Sequence, residues 1–385
     1  MSYLKSLTLT HFRCYEQARL EGLASAPVVL HGVNGAGKTN VLEAVSLLSP
    51  GRGMRNAKIT EIQNVDMPDA AWSVAAKAET PYGEAQIGTG RDPVKDKRLV
   101  RINGEAAKGQ NALAEYLSCV WLTPQMDGLF LDGSSSRRRF FDRLVFTFDP
   151  AHSGRITRYE NALRQRSKLL QEGHADPVWV QGLEASMAET GVAIAAARLD
   201  FVQRLQAACD VAAKDEHEAF PRSHLGLHGT LEELLLNAPA LEVEDLFKYQ
   251  LEQSRRLDAT TGGAATGPHK TDVLTKYAAK NMPADQCSTG EQKALLIGII
   301  LAHSRLIKAE RGVPPILLLD EVAAHLDDTR RHLLHDILLS LGGQVWLTGT
   351  DKALFDDLRG KAVFFEVNDS RITGQPDNKN AAKDA

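Results

Sequence analysis

Short apolar runs separated by polar turns predict strands in the N-terminal third of the chain. Apolar and polar residues alternate around Leu7 and Leu9. Further strand-like stretches lie near 72–77, 84–88 and 98–102. Asn103-Gly104, directly after the last stretch, is a strong signal for a two-residue hairpin. We therefore expect an antiparallel sheet in this part of the protein.

The middle of the chain has the periodicity of amphipathic helices. One helix is predicted to begin near Arg137, with Ser135 or Ser136 as its N-terminal cap, and another surrounds Tyr159. A longer helix follows, in which apolar positions recur every three or four residues. These positions are Leu183, Met187, Thr190, Ile194, Ala197, Phe201 and Leu205. We interpret residues 134–261 as a helical arm inserted into another fold.

Continuous apolar runs predict buried strands of a parallel sheet. They lie at 118–122, 315–319 and 344–348. The longer apolar run at 294–302 is predicted to be a helix because of its length. The fold class is therefore α/β, with a core in two parts. The first part is 1–133, and the second is 262–385, with a flexible tail from about Asp369.

The stretch from His31 to Asn40 reads HGVNGAGKTN and has the G-x-x-x-x-G-K-[ST] spacing of a phosphate-binding loop. A strand-like run precedes it and a helical pattern follows, which disfavours the alternative of a glycine-rich turn that matches by accident. In this motif backbone N–H groups cradle the phosphates, Lys38 neutralises them and the Thr39 hydroxyl binds Mg²⁺. The predicted ATP-binding residues are Gly32, Val33, Asn34, Gly35, Ala36, Gly37, Lys38, Thr39 and Asn40.

Two carboxylates follow the apolar run at 315–319. Asp320 is expected to hold Mg²⁺ through its water shell, and Glu321 to polarise the attacking water. The alternative is a solvated acidic turn. We favour the catalytic interpretation because a P-loop and an apolar strand that ends in two acids complete one nucleotide site. The helical insertion then splits a single ATPase fold.

A second phosphate site is predicted at Ser288 and Gly290, just before the apolar helix. A serine hydroxyl and a glycine amide at a helix N-terminus form an anion site. Because Lys38 and its loop already serve the phosphates of the same subunit, this second site is expected to serve the nucleotide of a partner subunit. We therefore expect a homodimer that encloses ATP between two copies.

Residues 287–293 resemble the signature of ABC-type ATPase heads, and specifically that of the SMC-like branch. Ser288, Gly290 and Glu291 match its serine, second glycine and glutamate. The cysteine and threonine of this segment stand where leucine and glycine are usual. The loop at 323–327 resembles the D-loop of the same branch.

The chain as a whole is similar to the RecF family of bacterial recombination proteins. Besides the P-loop and the signature, the resemblance rests on LTHFR at 9–13, SSRRRFFDR at 135–143, ALRQR at 162–166 and GPHK at 267–270. It implies an ABC-type, SMC-like P-loop ATPase head with an inserted helical arm. It also implies slow, DNA-dependent ATP hydrolysis and ATP-dependent dimerisation at single-strand gaps and ss/dsDNA junctions, where the family works with RecR and RecO to load RecA.

The resemblance also assigns roles to single residues. Arg13 would contact the nucleotide, and Gln125, as the Q-loop glutamine, would sense Mg²⁺ and the attacking water. The signature residues, including Glu291, would complete the nucleotide site. The switch histidine of transporter ATPases has no match, because residues 347–351 read LTGTD where it would stand. Slow turnover, with ATP acting more as a clamp than as fuel, fits this departure.

Two other functions compete with this interpretation. The nucleotide-binding subunit of a membrane transporter would have a leucine-first signature, a switch histidine and a short helical insert. A P-loop kinase would need neither a signature helix nor a dimer. Stimulation by gapped DNA, rather than by a phosphate acceptor, separates the kinase from the DNA-dependent ATPase.

Composition restricts the function less than the motifs do. The chain has 385 residues, of which 43% are hydrophobic, and it lacks an apolar run of membrane-spanning length, so we expect a cytoplasmic protein without a membrane partner. Its four separated cysteines disfavour a zinc site or disulfides. The net charge of −4 does not indicate DNA binding, so any contact with DNA would be made by local clusters of basic residues. The alternative is that these clusters are solvated or ion-paired surfaces. These clusters lie at 137–143, 52–58 and 95–101.

Overall fold

The computed structural model describes residues 2–173, 176–212 and 220–375. The strands are β1 Tyr3–Phe12, β2 Tyr15–Leu20, β3 Val28–His31, β4 Ser73–Thr80, β5 Gly83–Asp92, β6 Lys97–Ile102, β7 Glu105–Ala106, β8 Cys119–Leu122, β9 Ser223–His228, β10 Asp272–Tyr277, β11 Met282–Pro283, β12 Ile316–Leu319, β13 Val345–Gly349, β14 Val363–Asn368 and β15 Arg371–Gln375. The α-helices are α1 Lys38–Ser46, α2 Ser134–Phe148, α3 His152–Glu172, α4 Pro177–Ala212, α5 Thr230–Leu235, α6 Ala240–Thr261, α7 Thr289–Arg311 and α8 Asp328–Leu341.

The described residues form two compact units. The first unit comprises residues 2–127, 220 and 296–375, and the second comprises 128–212 and 221–295. No helix among the described residues has both the length and the apolar character needed to cross a membrane.

The first unit contains an antiparallel sheet of order β2-β1-β4-β5-β6-β7, as the N-terminal alternation predicts. Its inner face is apolar and buried, with a regular alternation along β4 and the middle of β5, and it includes Leu7, Val74 and Ile87. Asn103 and Gly104 connect β6 to β7 with φ angles of 52° and 87°. Positive φ at both positions is what a type I′ hairpin requires, so the predicted hairpin is confirmed.

The second sheet of this unit has the order β15-β14-β3-β13-β12-β8. All its neighbouring pairs are parallel except β14 with β15. The apolar runs predicted as buried strands are β8, β12 and β13, and each is fully or almost fully buried. Because parallel strands end at the same edge, this topology brings the loops that follow β3, β8, β12 and β13 to one side of the sheet.

The second unit is built mainly from helices. The predicted long helix is α4, and its stripe residues Met187, Ile194, Phe201 and Leu205 are buried. This unit also contains the three-stranded sheet β11-β10-β9, which the sequence analysis did not predict. Its bounds, 128–212 and 221–295, are wider than the proposed arm at 134–261, which stays a prediction.

Two local predictions were wrong. Helix α2 begins at Ser134, with Gly133 as its N-cap residue, so neither Ser135 nor Ser136 caps it. The chain after Asp369 is not an unpatterned tail, because β15 pairs with β14 through a turn in which Asp369 and Ser370 adopt φ angles of 45° and 59°. Strand β15, with the sequence RITGQ, carries little apolar periodicity for a sequence analysis to detect. The remainder of the predicted tail, 376–385, lies outside the described residues.

Candidate nucleotide-binding site

The P-loop joins β3 to α1, as the motif predicts, and two of its glycines are required by space. A Cβ on Gly32, where φ is 149°, would lie 2.0 Å from the carbonyl oxygen of Val367. A Cβ on Gly37, where φ is 114°, would lie 2.6 Å from the Tyr15 hydroxyl oxygen. Both glycines therefore allow the loop to lie directly against neighbouring strands in a backbone conformation that other residues rarely adopt.

The ammonium group of Lys38 is held within this loop. Its Nζ donates to the carbonyl oxygens of Gly32 at 2.7 Å and Val33 at 3.0 Å. Burial lowers the pKa of Lys38, while the nearby charges of Glu321 and Asp320 raise it. A cation enclosed by a P-loop and facing two acids is the arrangement that neutralises nucleotide phosphates.

Asp320 and Thr39 meet although 281 positions separate them in sequence. The Thr39 hydroxyl donates to the Asp320 carboxylate at 3.0 Å, and the Thr348 hydroxyl donates to the same carboxylate at 2.8 Å. Burial raises the pKa of Asp320, and these two hydrogen bonds lower it. The structure thus brings together the two residues predicted to hold Mg²⁺.

These oxygen donors fit Mg²⁺. A hydroxyl and a carboxylate are hard ligands of the kind this ion takes, and a cation would compensate the buried charge of Asp320. Among the described residues no cluster of three or more His, Cys, Asp or Glu side chains could hold a metal ion. The donor set therefore suits an ion that keeps water and phosphate ligands, as Mg²⁺ does at nucleotide sites.

Thr348 also positions Glu321, a role that the sequence analysis missed. The main-chain N–H of Glu321 donates to the Thr348 hydroxyl oxygen at 2.8 Å. Glu321 has a φ angle of 54°, an uncommon conformation for a residue other than glycine. The hydroxyl of Thr348 therefore links the two acids that follow β12. The available signal was one hydroxyl in the otherwise apolar run VWLTG of β13.

Arg13 contacts α1 rather than standing free in the site. Its guanidinium binds both carboxylate oxygens of the fully buried Glu43, at 2.8 and 2.6 Å. Arg55 donates to the same carboxylate at 3.0 Å and to the Asn40 side-chain oxygen at 2.7 Å. Two arginines thus hold the middle of α1, and a contact between Arg13 and nucleotide stays a prediction.

Gln125 lies at the edge of the sheet where the nucleotide residues gather. It is exposed in a short 3₁₀ turn, Pro124–Met126, which follows β8. Strand β8 pairs with β12, and the main-chain N–H of Asp320 donates to the carbonyl of Leu122 at 2.9 Å. Its predicted role in sensing Mg²⁺ and water is not tested by this geometry.

The signature residues lie together at the N-terminus of α7, in the second unit. The Glu291 carboxylate accepts hydrogen bonds from the main-chain N–H and the hydroxyl of Ser288, each 2.9 Å long. Lys280 forms an ion pair with Glu291. The bonds from Lys280 and Ser288 lower the pKa of Glu291 to about 2. Gly290 is exposed, and a Cβ there would meet no atom within 4 Å.

Most of the arginines in the predicted basic cluster of α2 are engaged within the protein. Arg137 forms an ion pair with Asp272 at 2.8 Å, and Arg138 donates to the carbonyl oxygen of Thr271 at 2.7 Å. Arg143 lies over the ring of Phe140, and burial lowers its pKa to about 9. This geometry favours the ion-paired interpretation of the cluster over direct contact with DNA.

Comparisons with known proteins identify the family. The family model for the RecF/RecN/SMC N terminal domain matches residues 3–370. The "DNA replication and repair protein RecF" of Agrobacterium fabrum is 45% identical over 372 residues, which cover 96% of this chain and 98% of that protein. The chain belongs to the RecF family. Its counterpart in Rhizobium rhizogenes is 47% identical over 373 residues, with 96% and 98% coverage.

Solved structures agree with the fold. The structures described as "recombination mediator protein RecF-ATPrS in RecFOR pathway" and as its RecF-ATP form both give a TM-score of 0.84, at 23% and 22% identity, over 97% of this chain and 98% of those chains. An Smc head domain from Pyrococcus furiosus, bound to the C-terminal domain of ScpA, gives 0.54 at 16% identity, over 97% and 96%. The predicted family and the SMC-like fold class are confirmed.

Proposed function

We propose that this chain is an ATP-dependent recombination mediator that binds DNA at single-strand gaps and ss/dsDNA junctions. It dimerises on ATP, hydrolyses ATP slowly and supports RecA loading together with RecR and RecO. The single observation that carries this proposal is the contact between Thr39 and Asp320, which joins the two halves of a nucleotide site in a chain whose relatives are named DNA replication and repair proteins. A cytoplasmic location goes with this function.

The proposed function assigns a role to each site residue. Lys38 and the amides of residues 32–40 would bind the ATP phosphates, and Thr39 and Asp320 would hold Mg²⁺. When bound, Mg²⁺ neutralises the charge of the phosphates. Glu321 accepts a proton from the attacking water, and the hydrogen bond from its main-chain N–H to Thr348 holds its backbone beside Asp320. Gln125 orients that water.

The second phosphate site supports a dimer. Ser288 and Gly290 present a hydroxyl and a helix N-terminus, which together suit an anion. In the proposed dimer this anion is the γ-phosphate held by the P-loop of the other copy. The signature of ABC-type heads binds the γ-phosphate of the partner subunit in the same way. In this proposal 1–133 and 262–385 form the ATPase core and 134–261 form the arm.

The test is the oligomeric state of the Glu321→Gln variant, measured by light scattering with and without ATP and gapped DNA. This variant binds ATP but cannot activate water, so we expect ATP to convert it to a dimer. Adding Ser288→Arg should abolish the shift, because the larger cation blocks the signature site. A matched Lys38→Ala variant should stay monomeric because it cannot hold the phosphates.

A variant that stays monomeric under all conditions would contradict the clamp mechanism. To test the DNA preference, ATP turnover of the wild type is measured with gapped, fully duplex and single-stranded DNA at equal nucleotide concentration. We expect the greatest stimulation with the gapped substrate. Equal rates on all three, or stimulation by a small phosphate acceptor instead, would contradict the mediator function.

A further inference from the structure

The outer face of the antiparallel sheet carries a row of five residues that lie directly opposite one another on successive strands. Thr8 pairs with Arg19 on one side and with Ala75 on the other, Ala75 pairs with Gly88, and Gly88 pairs with Arg101. The three central residues are small, while both ends are arginines. Four steps between strands at about 4.8 Å each separate the two arginines by roughly 19 Å.

A second row of residues on the same face lies beside the first row, and the two rows line a groove. Lys77 pairs with Ser6 and with Gln86, one row away from Ala75 and on the same face. The resulting concavity has a volume of about 300 Å³. We call it the sheet groove. Its lining includes Ser6, Thr8, Arg19, Lys77, Gln86 and Arg101.

The sheet groove presents basic side chains that the protein itself compensates only in part, through the charge of Glu84 near Lys77 and of Glu21 beside Arg19. Among the described residues neither Lys77 nor Arg101 forms a salt bridge, and both are exposed. The pair between Arg19 and Glu21 is 66% and 63% exposed, which makes it weak and easily exchanged. The nearby Glu79 and Glu84 are both engaged by Lys5, at 2.7 and 2.9 Å.

We propose that the sheet groove binds the phosphate backbone of duplex DNA, an inference that rests on the proposed DNA-binding function. Along roughly 19 Å of the duplex axis each strand carries about five phosphates. The basic side chains and the polar Ser6, Thr8 and Gln86 can contact those phosphates that face the groove. The groove lining contains no aromatic side chain, whereas sites for single strands use aromatic rings to stack bases. The groove lining also lacks a large exposed apolar side chain of the kind found at the centre of protein–protein interfaces.

The experiment measures binding of the full-length chain, with ATP and Mg²⁺, to a labelled duplex of arbitrary sequence by fluorescence anisotropy at several salt concentrations. Lys77→Ala and Arg101→Ala are each expected to weaken binding roughly eightfold near 0.1 M salt and to reduce the salt slope by about one, as the loss of one phosphate contact predicts. Lys168→Ala is the control, because this exposed lysine lies on α3 in the second unit.

Gly88 provides a pair of variants that separates charge from shape. A Cβ at this position would have the carbonyl oxygen of Val74 as its nearest neighbour, at 3.9 Å, so a side chain fits without strain. We expect Gly88→Ala to bind duplex DNA like the wild type. Gly88→Glu, which places a carboxylate in the centre of the groove, should weaken binding more than either single alanine variant.

Unchanged affinity and salt slope in the Lys77→Ala/Arg101→Ala double variant would overturn the inference. It is also overturned if this variant keeps its DNA affinity but no longer captures purified RecR, since the groove would then serve a protein. A wild-type chain that fails to bind any DNA with ATP would instead contradict the proposed function. Thermal unfolding of each variant checks that these exposed substitutions leave the fold intact.

Discussion

The carboxylate of Glu291 accepts two hydrogen bonds from Ser288, one from its main-chain N–H and one from its hydroxyl, each 2.9 Å long. This is a capping box, which satisfies donors at the start of α7. The same donors are those that a signature serine offers to a phosphate. An internal anion therefore already occupies them, with Lys280 paired to the Glu291 carboxylate. A phosphate that binds Ser288 has to displace Glu291 first.

We expect Glu291→Gln to ease this displacement. Hydrogen bonds to a charged acceptor are stronger than those to a neutral amide. In the Glu321→Gln background, the additional Glu291→Gln change should therefore lower the ATP concentration for half-maximal dimerisation. Light scattering during an ATP titration measures this value.

The matched control for this prediction is Asp285→Asn, which removes an exposed acid that lies shortly before α7. It should leave the ATP dependence of dimerisation unchanged. A higher ATP requirement in Glu291→Gln would show that Glu291 assists the nucleotide directly instead of competing with it for Ser288.

A second prediction concerns Thr348, which donates to Asp320 and accepts from the main-chain N–H of Glu321. Thr348→Val keeps the shape of the side chain but removes both bonds. We expect a loss of about 2 kcal/mol in the free energy of unfolding and a fall of about tenfold in the rate of ATP turnover. Thr348→Ser should restore both. A destabilised Thr348→Val variant with an unchanged turnover rate would show a purely structural role.

A third prediction follows from the burial of Asp320, which raises the pKa of its carboxyl. The native state then holds this proton more tightly than the unfolded chain does. Ionisation of the buried carboxyl therefore destabilises the native state. The free energy of unfolding falls as pH rises from about 4 through the native pKa, and above that pKa the loss of stability is complete. Asp320→Asn removes the charge.

We therefore expect Asp320→Asn to be more stable than the wild type at neutral pH, with a difference that shrinks as pH falls toward about 4. Urea unfolding of the nucleotide-free protein at several pH values measures it. The same variant should lose the stabilisation that ATP and Mg²⁺ give the wild type, since the metal then lacks its carboxylate. Equal stability of the two proteins at every pH would contradict the burial argument.

The parts of this protein that the sequence predicted are those encoded locally. The P-loop is recognisable from its glycine spacing, and the strands β8, β12 and β13 from their continuous apolar character, in each case within a few residues. Sequence analysis assigned Thr39 and Asp320 to one site, although they are far apart in the chain, because a P-loop and an apolar strand that ends in two acids complete one nucleotide site. The parallel topology of the sheet explains why the two loops meet.

The features that escaped prediction depend on tertiary contacts. Thr348 is one hydroxyl in an apolar strand until folding brings Asp320 beside it. Arg137 belongs to a run of basic residues, and only its distant partner Asp272 shows that it is ion-paired. Strand β9 was missed because its sequence, SHLGLH, alternates only weakly between apolar and polar residues. The strand forms by pairing with β10, which is distant in sequence. Charge and pattern are local properties, whereas the identity of a partner is not.

The last prediction compares Arg98 and Arg101, which lie on the same strand, β6. Arg98 is hydrogen-bonded within the protein, whereas Arg101 is exposed. The guanidinium of Arg98 donates to the carbonyl oxygens of Leu47 and Gly51, close to the end of α1, and to the Thr89 hydroxyl at 2.8 Å. Burial lowers the pKa of Arg98 to about 10, so it stays charged at neutral pH. Arg101, three residues later, is exposed in the sheet groove.

We expect Arg98→Met to lower the free energy of unfolding by about 3 kcal/mol, because it leaves the carbonyls of the buried Leu47 and the partly buried Gly51, near the P-loop helix, without this donor. Arg101→Met should change stability by less than about 0.5 kcal/mol, as exposed substitutions usually do, yet should weaken duplex binding. Urea unfolding and anisotropy on the same two variants measure both effects. If Arg98→Met were as stable as Arg101→Met, the charge of Arg98 would not be needed to hold α1 against the antiparallel sheet, and the two arginines would have to be regarded as one solvated cluster.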